Sequence, residues 1–351
     1  MAQTSHQVAR KHHYVPQMYL SGFTGEKGQC FAVDASTRAS FRSAPEGISA
    51  KRDYNLIEVP GIPADALEKE LGNFEGVIAP GIKRIRETAS FGENGKDRED
   101  VINLITLLAV RNPRTRKDME HLYNGLVQAI VAMPFTDKAR WEAVVEAMKA
   151  AGKWPKDKPA DFEGHKKFVE RNKGTLKVHK NWTLETELDA LPQIYPYFDA
   201  FRWRILKAKD GAGNFVTTDH PVCVHHPNDG INYGQQFSRG YGKTDKVIFP
   251  LSSKVLLIGR RDGDEDIVEA DRYLVARYNA TVMGFAMRQI YAPDDQFWYA
   301  TPAGRPIGKG STLLQDSNLK VREDEEGDSA VGLEVGGHGA VVAARRASAA
   351  F

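Results

Sequence analysis

The spacing of apolar residues changes along this 351-residue chain, and that change constrains its fold more than any other feature. Between residues 61 and 200, apolar residues recur every three or four positions, the period of an amphipathic helix. The clearest stripe consists of Leu67, Leu71, Phe74, Ile78, Ile82 and Ile85. Residues 28–43 and those after 201 instead alternate as strands do. The pattern predicts an α+β protein with a helical middle region, an N-terminal β-hairpin and a C-terminal antiparallel β-sheet.

Proline and glycine residues set the expected limits of the helices. Pro80-Gly81 should bend the first helix, and Asn112-Pro113 should end the second, which begins near Arg98. Arg111 continues the apolar stripe of this second helix, three residues after Leu108. An arginine at that position must extend to solvent, meet the helix carbonyls or bind an anion.

The strand-like segments predict three strand pairings and one further strand that completes a sheet. Cys30–Asp34 should pair with Ala39–Ser43, and residues 201–206 with 215–219 across the Asp210–Asn214 turn. Residues 247–251 and 255–260 should form another pair, and Gln289–Ala292 should close the sheet after a helix over 270–288.

Both ends of the chain carry the short motifs described below, so we expect one intertwined domain over residues 11–308. Its parts are an extended or hairpin part (11–60), a helical part (61–200) and a sheet part (201–308). Residues 309–351 are rich in Gly, Ala and Glu and are expected to form a flexible tail.

Composition excludes few functions. The net charge of +2 is too small to indicate a nucleic-acid partner by itself. The two cysteines, Cys30 and Cys223, suit a reducing compartment, so a cytoplasmic location is expected. No uninterrupted apolar run approaches the roughly 18 residues of a membrane span, and no membrane association is expected.

Reactive side chains are concentrated in one stretch near the start, Lys11–Leu20. It holds two adjacent histidines, His12 and His13, followed by Tyr14 and Gln17. Pro16 restricts the residue before it to an extended conformation and suits the first turn of a helix. The two imidazoles are therefore expected just before a short helix.

Several motifs occur in a fixed order between residues 11 and 293. They are HHYVPQ-x-YL-x-x-F from His12 to Phe23, R-x-P-x-x-R from Arg111 to Arg116, Thr217-Thr218-Asp219-His220-Pro221-Val222, and Phe249-Pro250-Leu251-Ser252. Together they resemble the DUF4238 family, a domain of unknown function. The resemblance also implies an acidic residue in the first long helix, where Glu75 lies. It implies a fold unit but no reaction.

These residue types suggest a metal-dependent hydrolase. Imidazole and carboxylate groups bind divalent metals such as Mg²⁺, Mn²⁺ or Zn²⁺, and arginines neutralise phosphate. We therefore expect a nuclease-like phosphodiester hydrolase acting on nucleic acid or another phosphate-bearing substrate. The expected roles are catalysis by His13, Arg111 and Asp219, substrate binding by Tyr14, Gln17 and Arg116, and metal binding by His12, His13, Glu75 and Asp219.

Other interpretations remain open at this stage. The histidines, Asp219 and Arg111 are also residue types that cap helices and fix turns, so a non-catalytic ligand- or protein-binding module is the alternative. His-His-x-x-Pro is similar to the start of an HNH nuclease motif but lacks its later Asn and His. A zinc site in His220–His226 has no second pair of ligands, so Cys223 is expected in the core. Protein partners cannot be read from these patterns.

Overall fold

The structure is a computed structural model that describes residues 10–172, 178–225, 246–301, 307–317, 319–322 and 332–334. Its α-helices are α1 (Gln17–Leu20), α2 (Ala66–Thr88), α3 (Lys96–Val110), α4 (Pro113–Ala132), α5 (Lys138–Ala150), α6 (Phe162–Asn172), α7 (Lys180–Asp199) and α8 (Arg272–Gly284). Its strands are β1 (Lys11–His13), β2 (Cys30–Asp34), β3 (Ala39–Ser43), β4 (Ala50–Arg52), β5 (Arg202–Ala208), β6 (Thr217–Thr218), β7 (Cys223–His225), β8 (Lys246–Pro250), β9 (Val255–Arg260), β10 (Ile267–Ala270), β11 (Gln289–Ala292), β12 (Trp298–Ala300), β13 (Ile307–Lys309), β14 (Lys320–Arg322) and β15 (Gly332–Glu334). The predicted α+β class, with a helical middle region between strands, is confirmed.

The chain forms two compact units. The first combines residues 1–115 with 187–351, and the second consists of residues 116–186. Segments from both ends of the chain therefore fold together in the first unit. The expectation of one domain over residues 11–308 stays a prediction.

Two larger sheets lie in the first unit. One has the strand order β10-β5-β9-β8-β7, and all its neighbours are antiparallel except β10 and β5. Strands β8 and β9 are buried along almost their whole length, which explains their nearly continuous apolar sequences. The other sheet has the order β3-β2-β11-β6. The predicted pairings of β2 with β3 and of β8 with β9 are confirmed.

The predicted hairpin between residues 201–206 and 215–219 is wrong. β5 pairs with β9 and β10, whereas Thr217 and Thr218 pair with β11 in the other sheet. The backbone N–H groups of Phe215 and Val216 donate to the Ser253 carbonyl and the Asn279 side chain. These bonds direct the chain away from β5, and a local turn pattern cannot reveal them.

Helix α2 forms one wall of the site described below. Its predicted apolar stripe is confirmed, since Leu67, Leu71, Ile78, Ile82 and Ile85 are buried. The helix continues through Pro80, which is exposed. Residues separated by seven positions lie two turns apart on the same face of a helix, and this places Glu68 and Glu75 along one side.

The predicted flexible tail lies mostly outside the described residues. Its described part includes a 3₁₀-helix over Gly310–Gln315, and Leu313 and Leu319 are buried in a core cluster of the first unit. The second unit contains an aromatic cluster in which the Trp141 ring contacts those of Phe135, Trp154 and His165. No helix among the described residues is long and apolar enough to cross a membrane.

Candidate functional site

A cavity of about 350 Å³ opens beside the N-terminal half of α2. This volume lies within the range of small-molecule pockets. Side chains from β1, α1 and α2 line it: His13, Gln17, Met18, Glu68, Leu71, Gly72, Glu75, Gly76 and Ala79. The cavity combines apolar and small residues with an imidazole, an amide and two carboxyl groups.

The carboxyl group of Glu75 is half-buried in this cavity and receives no hydrogen bond from the described residues. Burial and, to a smaller extent, the nearby charge of Glu68 raise its pKa, and the Arg111 guanidinium opposes the change. Together they bring the pKa of Glu75 to about 7. Near neutral pH, both the protonated and the ionised form of Glu75 are therefore populated.

His13 faces the same cavity from the end of β1. This strand pairs with β4, so that His13 lies opposite Ala50. Its Nε2 lies 3.3 Å from the Glu46 carbonyl oxygen, and its Nδ1 lies 3.3 Å from the amide nitrogen of Gln17. The same Gln17 nitrogen lies 3.4 Å from Nε2 and does not distinguish the two ring nitrogens. The Glu46 carbonyl can only accept, so it favours the tautomer with the proton on Nε2 and with Nδ1 as an acceptor. Burial lowers the pKa of His13, so the imidazole is neutral at pH 7.

Asn55 connects the cavity to buried charges beneath it. Its side-chain amide donates to Oε2 of Glu68 at 2.6 Å and accepts from Nη2 of Arg111 at 2.5 Å. Its backbone N–H donates to Nδ1 of the buried His12 at 2.8 Å. Arg111 is only 4% exposed, and its Nε lies 3.9 Å from Oε2 of the fully buried Glu187. Arg111 therefore acts on Glu68 through Asn55.

Asp219 is in a different environment. Its carboxylate accepts three backbone N–H groups, from Met287 at 2.8 Å, Arg288 at 2.9 Å and Gln289 at 3.0 Å. Burial raises the pKa of Asp219 to about 6 although these amides favour the ionised form. At neutral pH, the group is thus an ionised acceptor that fixes the start of β11.

Tyr14 lies close enough to Asp219 for their charges to interact. Burial raises the pKa of Tyr14, and the carboxylate of Asp219 raises it further. The phenol is consequently protonated and suited to donate a hydrogen bond.

Most of the sequence matches a known protein family. Residues 11–296 match a family model described as "Protein of unknown function (DUF4238)". The chain belongs to this family. No curated protein and no solved structure matches it.

The DUF4238 motifs are divided between two places in the structure. His13 and Gln17 line the cavity with Glu75, and Arg111 lies beneath them. Asp219 does not line that cavity, and it interacts with Tyr14 instead. Arg116 is the first residue of the second unit. The roles predicted for these residues stay predictions.

The predicted metal site also stays a prediction. Among the described residues, no three His, Cys, Asp or Glu side chains are placed to hold a metal ion. The Asp219 oxygens are occupied by backbone amides, and His12 Nδ1 accepts from Asn55. In the segment His220–His226, where no zinc site was predicted, Cys223 is a buried free thiol, as expected for the core, whereas His226 lies outside the described residues.

Sequence reasoning missed Glu68 and Asn55. A usable signal existed for Glu68, because its seven-residue separation from Glu75 places both on one helix face. No local pattern identifies Asn55, since its partners come from β1, α2 and the end of α3.

Proposed function

We propose that this DUF4238 protein is a hydrolase in which Glu75 is the acid–base group of the cavity. One observation carries the proposal: a carboxyl group with a pKa near 7 lies in an accessible cavity beside a neutral imidazole. General acid–base catalysis is most efficient when the pKa of the group lies near the working pH. Strongly perturbed groups in clefts are also more common at functional sites than elsewhere.

The chemistry needs only a water molecule and a bound substrate. Ionised Glu75 takes a proton from water as the water oxygen forms a bond to the electrophilic centre. Protonated Glu75 then gives that proton to the leaving group as its bond breaks. Neutral His13 orients the water or substrate through the Nδ1 lone pair once the Gln17 amide moves aside. His13 is thus proposed as the partner of Glu75 in the reaction.

Arg111 and Asn55 are proposed as positioning residues. The guanidinium of Arg111 fixes the amide of Asn55, and that amide fixes one oxygen of Glu68. Because Glu68 raises the pKa of Glu75, this chain of contacts keeps the pKa of the acid–base group near 7. Replacing Asn55 should therefore alter the pH profile of the reaction as well as its rate.

The finer hypothesis of a metal-dependent phosphodiesterase requires a direct test. Two carboxylates in the cavity repel a phosphate, unless a divalent cation offsets their charge. Assays should therefore include carboxylic esters, amides, glycosides, phosphodiesters and single- and double-stranded DNA and RNA. Each assay should run with and without Mg²⁺, Mn²⁺ and Zn²⁺.

Variants identify the source of any activity found. Glu75→Gln should lower kcat at least about 100-fold, the typical contribution of a general acid or base. Glu70→Gln is the matched control, because Glu70 is exposed on α2 and does not line the cavity. Full activity in Glu75→Gln would show that Glu75 is not the acid–base group. No hydrolysis in the whole panel would favour the alternative of a non-catalytic binding module.

A further inference from the structure

The charges of the cavity restrict what it can bind. Glu68 and Glu75 line one wall, and none of the described residues that line the cavity is lysine or arginine. Asn55 donates to Oε2 of Glu68, while Oε1 has no donor among the described residues. The charge of Glu68 raises the affinity of Glu75 for a proton, and it favours another cation in the cavity for the same reason.

Two glycines leave part of the α2 wall without side chains. Gly72 and Gly76 lie inside α2, and a Cβ built on either would meet nothing within 4 Å. Neither glycine is needed for close packing, and neither has a positive φ. Glycine inside a helix is less stable than alanine at the same position. Gly72 and Gly76, which line the cavity together with Glu68 and Glu75, therefore leave room for a ligand at a cost in helix stability.

We infer that the cavity binds a small organic cation, a ligand with a primary ammonium or guanidinium group that pairs with Glu68 and an apolar body that lies on Gly72 and Gly76. Met18, Leu71 and Ala79 supply the apolar surface for that body. The inference deepens the proposed function by naming the substrate class of the same site. Glu75 lies two helical turns from Glu68. The bond to be hydrolysed would therefore reach Glu75 if it lies at the end of the apolar body that is remote from the cationic group.

Small probes test this inference on the full-length protein. Butylammonium and butylguanidinium are titrated by NMR, with butan-1-ol, butyrate and inorganic phosphate as controls of similar size or opposite charge. At pH 8, both cations should bind at least tenfold more tightly than butan-1-ol, and butyrate and phosphate should not shift the cavity resonances. Equal binding of the cations and butan-1-ol, or preferred binding of butyrate or phosphate, would overturn the inference.

The pH dependence gives a second readout. Because Glu75 ionises near pH 7, cation affinity should fall several-fold between pH 8 and pH 5.5. Binding should in turn lower the pKa of Glu75, since the coupling is reciprocal. An affinity that does not change with pH would contradict the binding of the cation in the same cavity as Glu75.

Two variants separate ligand binding from folding. Glu68→Gln should weaken cation binding at least tenfold, whereas the exposed control Glu70→Gln should leave it unchanged. Gly76→Ala should raise the thermal midpoint and also weaken binding, because its methyl group enters the space of the ligand. Gly125→Ala in α4 is the matched control, since a Cβ there also meets nothing within 4 Å and Gly125 is not among the residues that line the cavity. Unchanged binding in both Glu68→Gln and Gly76→Ala would overturn the inference.

The experiments distinguish an error in the inferred ligand class from an error in the proposed function. Cation binding without hydrolysis of any substrate removes the reaction and leaves the ligand class. Glu75-dependent hydrolysis of uncharged or anionic substrates, without cation binding, removes the ligand class and leaves the reaction.

Discussion

Two carboxyl groups of the first unit, those of Asp219 and Glu75, differ in how their hydrogen-bonding capacity is used. Burial raises the pKa of both, to about 6 for Asp219 and about 7 for Glu75. Asp219 nevertheless accepts three backbone N–H groups, and Glu75 accepts none from the described residues. Asp219 is fully buried, whereas Glu75 borders an open cavity.

This difference separates a structural role from a chemical one. A carboxylate whose acceptors are filled by backbone amides holds a segment in place, and releasing it would leave those amides unpaired. A carboxyl group without donors can exchange a proton or accept a ligand without breaking a hydrogen bond of the fold. A raised pKa alone therefore does not identify a reactive group. The hydrogen-bond partners of the group distinguish a chemical role from a structural one.

The largest expected effect is on stability at Asp219. Asp219→Ala should lower the free energy of unfolding by roughly 3 to 5 kcal/mol, because three buried N–H groups lose their acceptor. Urea denaturation measures the loss, with Asp264→Ala as the control at an exposed carboxylate. A loss below about 1 kcal/mol would mean that Asp219 is not the structural acceptor described here.

Asn55 should show an intermediate effect. Asn55→Ala removes the amide that joins Arg111 to Glu68, two charged partners, and should lower the free energy of unfolding by roughly 2 to 3 kcal/mol. Asn73→Ala, at an exposed position of α2, is the control. If the stability of Asn55→Ala equals that of the control, Asn55 does not link these groups.

At Glu75 the expected effect depends on pH. Since its pKa is about 7 in the folded state and near 4.5 ordinarily, the folded protein binds more protons between these values. Its stability should therefore fall as pH rises from about 5 to 8, by roughly 2 kcal/mol for this group. Glu75→Gln cannot ionise and should lack this contribution. Parallel pH–stability curves for the two proteins would refute the assignment.

The smallest effect is expected at the side chain of Arg288. Its guanidinium pairs with Asp34 at 2.7 Å but is 53% exposed. Arg288→Ala should cost less than about 1 kcal/mol in urea denaturation, as is usual for exposed ion pairs, because its backbone N–H still donates to Asp219. A loss comparable to that of Asp219→Ala would show that the side chain contributes more than the backbone.

The sequence predicted more of the fold than of the site. The periodicity of α2 and the pairings of β2 with β3 and of β8 with β9 depend on local patterns, and they were correct. The pairing of Thr217-Thr218 with β11 depends on residues about 70 positions away, and local turn residues misled the prediction. The motifs pointed to His13, Gln17 and Asp219, but only the folded chain shows that Asp219 is not in the cavity. Asn55 and Glu68 acquire their roles from long-range contacts.

The central claim is that Glu75 titrates near neutral pH in the cavity, and a ¹³C NMR titration of its side-chain carboxyl tests this directly. Comparison with Glu75→Gln assigns the resonance. The account predicts a midpoint near 7 that shifts downward in Glu68→Gln, because the neighbouring negative charge is removed. A midpoint near 4.5 that does not change in Glu68→Gln would contradict it.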